Sequence, residues 1–217
     1  MSKLKFLPGN NIRNVAIIAH VDHGKSTLAD RFLEITGVVD KGHHDEQLLD
    51  RNPISRERGI TIKLAPVQMK HSYNGEDYVL NLIDTPGHVD FSYEVERTLA
   101  CVEGVILLVD ATQGIQAQTI AHTYKALEQD LVIIPAVNKI DMINAQVEQT
   151  KKDVAEFLGI KVGDIFEISA KTGQGVEALL HKVIELIPPP NTAERTFRAG
   201  VFLSLVSKAL TPIIRCV

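Results

Sequence analysis

Ala19-His20-Val21-Asp22-His23-Gly24-Lys25-Ser26 is the stretch whose reading decides the fold. It fills every fixed position of the phosphate-loop pattern G-x-x-x-x-G-K-[ST] except the first, where Ala19 stands in place of glycine. An apolar run precedes it and an amphipathic stretch follows from Lys25, the strand–loop–helix setting such a loop requires. There the backbone N–H groups of Asp22, His23, Gly24, Lys25, Ser26 and Thr27 curl around phosphate oxygens, and the helix N-terminus adds partial positive charge. Lys25 reaches the β- and γ-phosphates, and the Ser26 hydroxyl is a ligand for Mg²⁺. A bare Gly-Lys-Ser is also an ordinary helix start, because Gly and Ser are common caps. The full spacing behind a strand favours the phosphate loop, and Ala19 leaves it able to close if φ at that residue is negative.

Outward from the loop, short apolar runs alternate with longer amphipathic stretches, the pattern of βαβ units and a mostly parallel sheet. The spacing predicts strands over Val15–His20, Ile62–Ser72, Tyr78–Asp84, Val105–Asp110, Val132–Asn138 and Ile165–Ser169. It predicts helices over Lys25–Thr36, Val89–Val102, Gln116–Glu128, Gln146–Leu158 and Val176–Ile187. Asn74-Gly75 is a hairpin signal, so the second and third strands should pair antiparallel while helix-linked strands run parallel. Gly37–Thr61 is a 25-residue polar connection, long enough to be functional. Within it, His43-His44-Asp45-Glu46 lacks partner ligands in the sequence and reads as a solvated charge run rather than a metal cluster. Pro188-Pro189-Pro190 ends the last helix as a stiff linker, and the 27 residues beyond are too few for a second independent domain.

Composition narrows the function. The 217 residues are 45% hydrophobic and 23% charged, values of a globular chain rather than a disordered one. Lys and Arg number 23 against 27 Asp and Glu, so a basic footprint that grips nucleic acid by charge alone is missing. Cys101 and Cys216 are too few for a disulfide framework and suit a reducing cytosol. No apolar run approaches the ~18 residues of a membrane span, and a cytoplasmic location is expected.

Three further motifs carry chemistry. Asp84-Thr85-Pro86-Gly87-His88 follows the third strand: Asp84 is placed to hold Mg²⁺ through a water, and Gly87 lets its N–H approach a γ-phosphate. Alone, Asp-Thr-Pro-Gly is an ordinary turn; its place after a phosphate loop reverses that reading. Asn138-Lys139-Ile140-Asp141 follows the fifth strand and Ser169-Ala170-Lys171 the sixth. The Asp141 carboxylate accepts both donors of the guanine N1–H and N2–H₂ edge, which adenine does not offer. Either segment singly could be a capped helix start; both together, at carboxyl ends of parallel strands, indicate GTP/GDP rather than ATP.

These motifs, with Arg58-Gly59-Ile60-Thr61-Ile62 and in this order, resemble a translational GTPase. Within that family the strings Asn11-Ile12-Arg13-Asn14, Arg56-Glu57-Arg58-Gly59-Ile60-Thr61-Ile62-Lys63, His88-Val89-Asp90-Phe91-Ser92-Tyr93-Glu94-Val95 and Ile187-Pro188-Pro189-Pro190 are similar to the elongation factor 4 (LepA) type, over roughly Asn11–Pro190. The resemblance implies an α/β P-loop GTPase fold of three layers. Its six-stranded, mostly parallel sheet would carry one antiparallel edge hairpin and helices on both faces. It implies a GTP-binding domain over residues 1–190, then a linker and the start of a β-barrel domain over 191–217. By the same resemblance Thr61 ligates Mg²⁺ and touches the γ-phosphate, with Gly37–Thr61 as the first switch. His88 acts on the attacking water; Val21 and Ile60 form the hydrophobic gate that holds it off; Asp22 binds a monovalent cation. Asn138, Lys139, Asp141, Ser169, Ala170 and Lys171 hold guanine. His20 and the His23 side chain are read as structural.

The implied partner is the ribosome, whose large-subunit RNA and tRNA would be reached through domains that the chain does not contain. The implied protein is a monomer, in the cytoplasm or peripheral on the inner face of the plasma membrane, the latter by resemblance only. Leu205–Val217 departs from the family, so the chain reads as a GTP-binding domain with a severed first barrel strand. Two alternatives stay open: a guanine-nucleotide binding module with negligible hydrolysis, and a BipA-type ribosome-associated GTPase. Ser92-Tyr93-Glu94 and the triple proline favour elongation factor 4 over BipA, whereas nothing in the sequence separates hydrolysis from binding.

Overall fold

The computed structural model describes residues 9–39, 65–85 and 92–190. Six strands form one sheet: β1 (Ile12–Ala19), β2 (Ala65–Tyr73), β3 (Glu76–Asp84), β4 (Gly104–Asp110), β5 (Val132–Asn138) and β6 (Phe166–Glu167). The described helices are α1 (Lys25–Ile35), α2 (Ser92–Leu99), α3 (Ala117–Glu128), α4 (Val147–Leu158) and α5 (Val176–Leu186). The strand order is β2-β3-β1-β4-β5-β6, and β2 alone runs antiparallel, paired to β3. Asn74 and Gly75 both take positive φ (51° and 82°), the twist that a tight hairpin between right-twisted strands demands.

Alternation along the strands builds three layers. Val15, Ile17, Leu80, Leu82, Ile106 and Leu108 face Leu28, Phe32, Leu179 and Val183 of α1 and α5. Their neighbours Ala16, Ile18, Ile83, Val105, Leu107 and Val109 face Val95 and Leu99 of α2, Ala126 of α3 and Val154 of α4. A strand covered on both sides has no polar face, which is why Gly104–Asp110 is buried at every position.

The connection from β1 goes to one side of the sheet and the later strands to the other, so the order reverses beside β1. Ligands bind at that switch point, outside the carboxyl ends of the strands. Registers Ile17↔Asp84, Ala19↔Leu108 and Asp110↔Asn138 bring the ends of β1, β3, β4 and β5 to one edge.

Several predicted bounds shift. β1 starts at Ile12 rather than Val15 because Arg13 is buried despite its charge. Its guanidinium donates to the carbonyls of Ile184 (2.9 Å), Asn10 and Ile12, and stacks over the Tyr78 ring. Asn81 donates to Asn14 (2.7 Å) and accepts from Gln68, a polar rung that apolar counting passes over. β6 shrinks to two residues, although Ile168 N–H still bonds the Val137 carbonyl (2.8 Å), because the chain then turns at Ser169. The Val89–Phe91 part of the second helix, Ile62–Leu64, His43–Glu46, nearly all of the first switch and residues 191–217 lie outside the described residues.

Candidate functional site

β1 ends in the core: Ala19 is buried, pairs with Leu108 and is not among the positive-φ residues, so the first motif position needs no glycine. Beyond it the chain turns tightly, His23 N–H donating to the His20 carbonyl (3.3 Å), with φ of 63° at Asp22 and 89° at Gly24. Gly24 is required twice over. Its φ suits few side chains, and a Cβ there would stand 2.4 Å from Asn138 Nδ2. Having no side chain, Gly24 leaves the start of α1 without a side-chain cap, the condition in which a helix N-terminus receives an anion. Lys25 is buried and folds back to donate to the Thr85 carbonyl just past β3, while the Thr85 hydroxyl donates to the Ile17 carbonyl. The phosphate loop is thereby tied to β1 and β3.

Val21 is half-buried and Asp22 exposed. The His23 imidazole turns inward, fully buried, and its Nδ1 accepts the Asp110 N–H at 3.3 Å. Burial is the main cause that pushes its pKa down to about 4, so the ring is neutral, and the same Nδ1 also lies 3.4 Å from the Leu108 carbonyl. The structural reading of this side chain is consistent with its packing. The His20 ring meets it edge-on at 5.3 Å.

Asn138 joins the loops. Its Nδ2 donates to the His23 carbonyl (2.8 Å) and its Oδ1 accepts the Ala170 N–H (2.9 Å), with the side chain buried. Both ends of the amide are thus used as a brace. Lys139 takes φ of 62° and its ammonium lies 2.7 Å from Asp110 Oδ2. Asp141 stands exposed in a turn closed by Met142 N–H to the Lys139 carbonyl (3.1 Å); α4 starts only at Val147, so Asp141 is not a helix cap. Ser169 is buried, its Oγ accepting from Thr172 N–H (3.1 Å), and Lys171 is exposed. Arg31 of α1 donates to the Ala170 (3.2 Å) and Lys171 (2.6 Å) carbonyls.

The structure therefore brings Asp22–Thr27, Asn138–Asp141 and Ser169–Lys171 together at one edge. Asp84 ends β3 opposite Ile17 in register. Ile60, Thr61, Gly87 and His88 lie outside the described residues. The reading of the sequence missed Asp110, Thr85 and Arg31; the one signal was an acid, Asp110, closing an otherwise apolar strand.

The donors fit the expected ligands. Ser26 lies in the first turn of α1 and Asp84 is the last residue of β3, and a hydroxyl and a carboxylate are residue types of the hard-oxygen class that Mg²⁺ takes. Among the described residues there is no group of three or more His, Cys, Asp or Glu that could hold a metal ion.

A family model described as the elongation factor Tu GTP binding domain matches residues 10–189. Elongation factor 4 of Chlamydia muridarum is 57% identical over 186 residues, covering 86% of this chain and 31% of that protein. Elongation factor 4 of Lactobacillus acidophilus is 55% identical over 195 residues, covering 89% of this chain and 32% of that protein. The chain thus spans about a third of the length of these relatives. Among solved structures, a bacterial selenocysteine-specific elongation factor, EF-Sec, superposes with a TM-score of 0.67 at 27% identity, over 84% of this chain and 30% of that one. With the family match running over most of its length, this chain belongs to the translational GTPases, carrying their elongation factor Tu kind of GTP-binding domain in a sequence of the elongation factor 4 type.

Proposed function

We propose that the chain binds GTP and GDP with Mg²⁺ and hydrolyses GTP to GDP and phosphate, as the nucleotide domain of an elongation factor 4 type factor acting on the ribosome. The observation that supports this most is the pair of hydrogen bonds made by Asn138, one donated to the His23 carbonyl and one accepted from the Ala170 N–H, which holds the phosphate loop and both base-side loops as one unit. Asp22–Thr27 and Gly87 cradle the phosphates. Ser26, Thr61 and, through a water, Asp84 hold Mg²⁺, which neutralises charge building on the phosphate oxygens. Lys139, Asp141, Ser169, Ala170 and Lys171 receive guanine. His88 orients the attacking water, Val21 and Ile60 hold His88 back, and Asp22 contributes to a monovalent cation site.

The ribosomal partners would be large-subunit RNA and tRNA, reached through the further length that the relatives possess. The factor would act as a monomer in the cytoplasm. Contact with the plasma membrane rests on the family resemblance alone, and no described helix is long and apolar enough to cross a bilayer.

The test is GDP and GTP binding by calorimetry, then turnover with and without ribosomes. Guanine nucleotides should bind, adenine nucleotides should not, and unassisted turnover should be near ~10⁻⁴ s⁻¹. Lys25→Ala should weaken GTP binding by ~2–4 kcal/mol through loss of a charge-assisted phosphate contact. Binding by Lys25→Ala within twofold of the parent would contradict the assignment. In a full-length relative, His88→Ala should keep nucleotide affinity and abolish ribosome-stimulated turnover, because a group used in the transition state contributes little to ground-state binding. An undiminished stimulated rate would remove His88 from the chemistry.

A further inference from the structure

We propose that Asp110, the last residue of β4, is a positioning residue of the guanine-nucleotide site: its buried carboxylate tethers the Lys139 ammonium and so sets the Asn138–Asp141 loop. The proposal rests on the reading of that loop as the guanine site.

The two carboxylate oxygens divide the work. Oδ1 accepts the Thr112 N–H (2.7 Å) and the Thr112 hydroxyl (2.8 Å), capping the turn after β4. Oδ2 faces Lys139 Nζ at 2.7 Å, with Gln113 Nε2 more distant at 3.4 Å. The carboxylate is fully buried, whereas the Lys139 side chain is 31% exposed. A buried carboxylate without a cationic partner is strongly unfavourable, so the lysine is drawn to a fixed point rather than left to wander. Lys139 also holds a φ of 62°, a conformation that a lysine keeps only when its surroundings over-determine it.

The register makes the link short. Asp110 lies directly beside Asn138 across the β4–β5 pair, and Ala111 N–H donates to the Asn138 carbonyl (2.9 Å). Asp110 N–H in turn reaches His23 of the phosphate loop. Lys139 is therefore fixed at its backbone by β5 and at its tip by β4. The turn carrying Asp141 hangs from the same residue, through Met142 N–H to the Lys139 carbonyl. Asp110 has no need to touch the nucleotide to govern how the base is received.

The rival account is that Asp110 only caps its own turn. Asp110→Asn separates the two, because the amide oxygen still accepts from Thr112 while the NH₂ end meets the ammonium without charge. GDP binding in Mg²⁺ buffer is measured by calorimetry for the parent, Asp110→Asn, Lys139→Leu, the double variant and Thr112→Val, with thermal midpoints recorded without nucleotide. Asp110→Asn should weaken GDP binding about tenfold. In the Lys139→Leu background the same change should weaken it less than twofold, since the tether is already cut. Thr112→Val should bind as the parent does. Equal losses in both backgrounds, or a Thr112→Val loss matching that of Asp110→Asn, would assign Asp110 to the turn alone and overturn the proposal. Lys139→Leu binding GDP within twofold of the parent overturns it independently, whatever the fold of Asp110→Asn. A parent that fails to bind GDP defeats the functional reading, whereas a parent that binds while Asp110→Asn equals it defeats this proposal alone.

Discussion

Asp141 is exposed at the tip of a turn whose other members are committed to structure, Asn138 as a brace and Lys139 as half of an ion pair. A carboxylate so placed can turn both acceptor oxygens toward a base. Asp141→Asn should therefore move preference from guanine toward xanthine nucleotides, because the amide accepts only one of the guanine donors and presents donors of its own. Competition titration of GDP against XDP checks this, and unchanged GDP affinity would remove Asp141 from the base site. Residues of this kind were legible in the sequence because their chemistry is local: a glycine, a lysine and a serine in a row, or an acid three residues past an asparagine. Asp110, Thr85 and Arg31 were not. Each acts on a residue 29, 60 or about 140 positions away, and only the sheet brings them into range.

At the scale of elements, α1 does more than open the phosphate loop. Arg31, on its second turn, pairs with Glu34 and donates to the Ala170 and Lys171 carbonyls, so the helix also supports the loop after β6. Arg31→Ala should cost ~1–3 kcal/mol of stability by losing charge-assisted bonds to half-buried carbonyls, and GDP dissociation should quicken. The control is Lys182→Ala on α5, whose pair with Glu185 is exposed on both sides and should leave stability almost unchanged. Urea denaturation compares the two, and equal losses would mean that Arg31 is an ordinary surface pair. The elements themselves were legible wherever period and punctuation agreed, as at β5, predicted over Val132–Asn138 and found there. They were less so where polar residues are buried, as Arg13 shows at the start of β1, or where an edge strand has a single neighbour, as at β6.

Across the whole molecule, the two core layers enclose two histidines, His23 and His122, that are kept uncharged. His122 on α3 is buried, and desolvation, helped by Lys125 and Lys25, pushes its pKa down to about 4. His23 is pushed to about 4 mainly by burial, and His71 is lowered by burial and by His181 beside it. The unfolded chain takes up these protons near the ordinary histidine value of about 6.5. Between about 6.5 and about 4 the unfolded state binds more protons than the native one, so stability is fully present above about 6.5 and falls as the pH drops through that window. At about 1.4 kcal/mol per pH unit and group, His23 and His122 should each withdraw roughly 2 kcal/mol by pH 5. The Asp110 carboxyl is held below its usual range, largely by Lys139 and Thr112 against the opposing effect of burial, so its contribution is lost only in more acidic solution. His122→Asn, which cannot take up a proton there, should lose about 2 kcal/mol less than the parent between pH 7 and pH 5 in urea denaturation. Parallel stability curves for the two proteins would show that His122 is not held neutral by the fold.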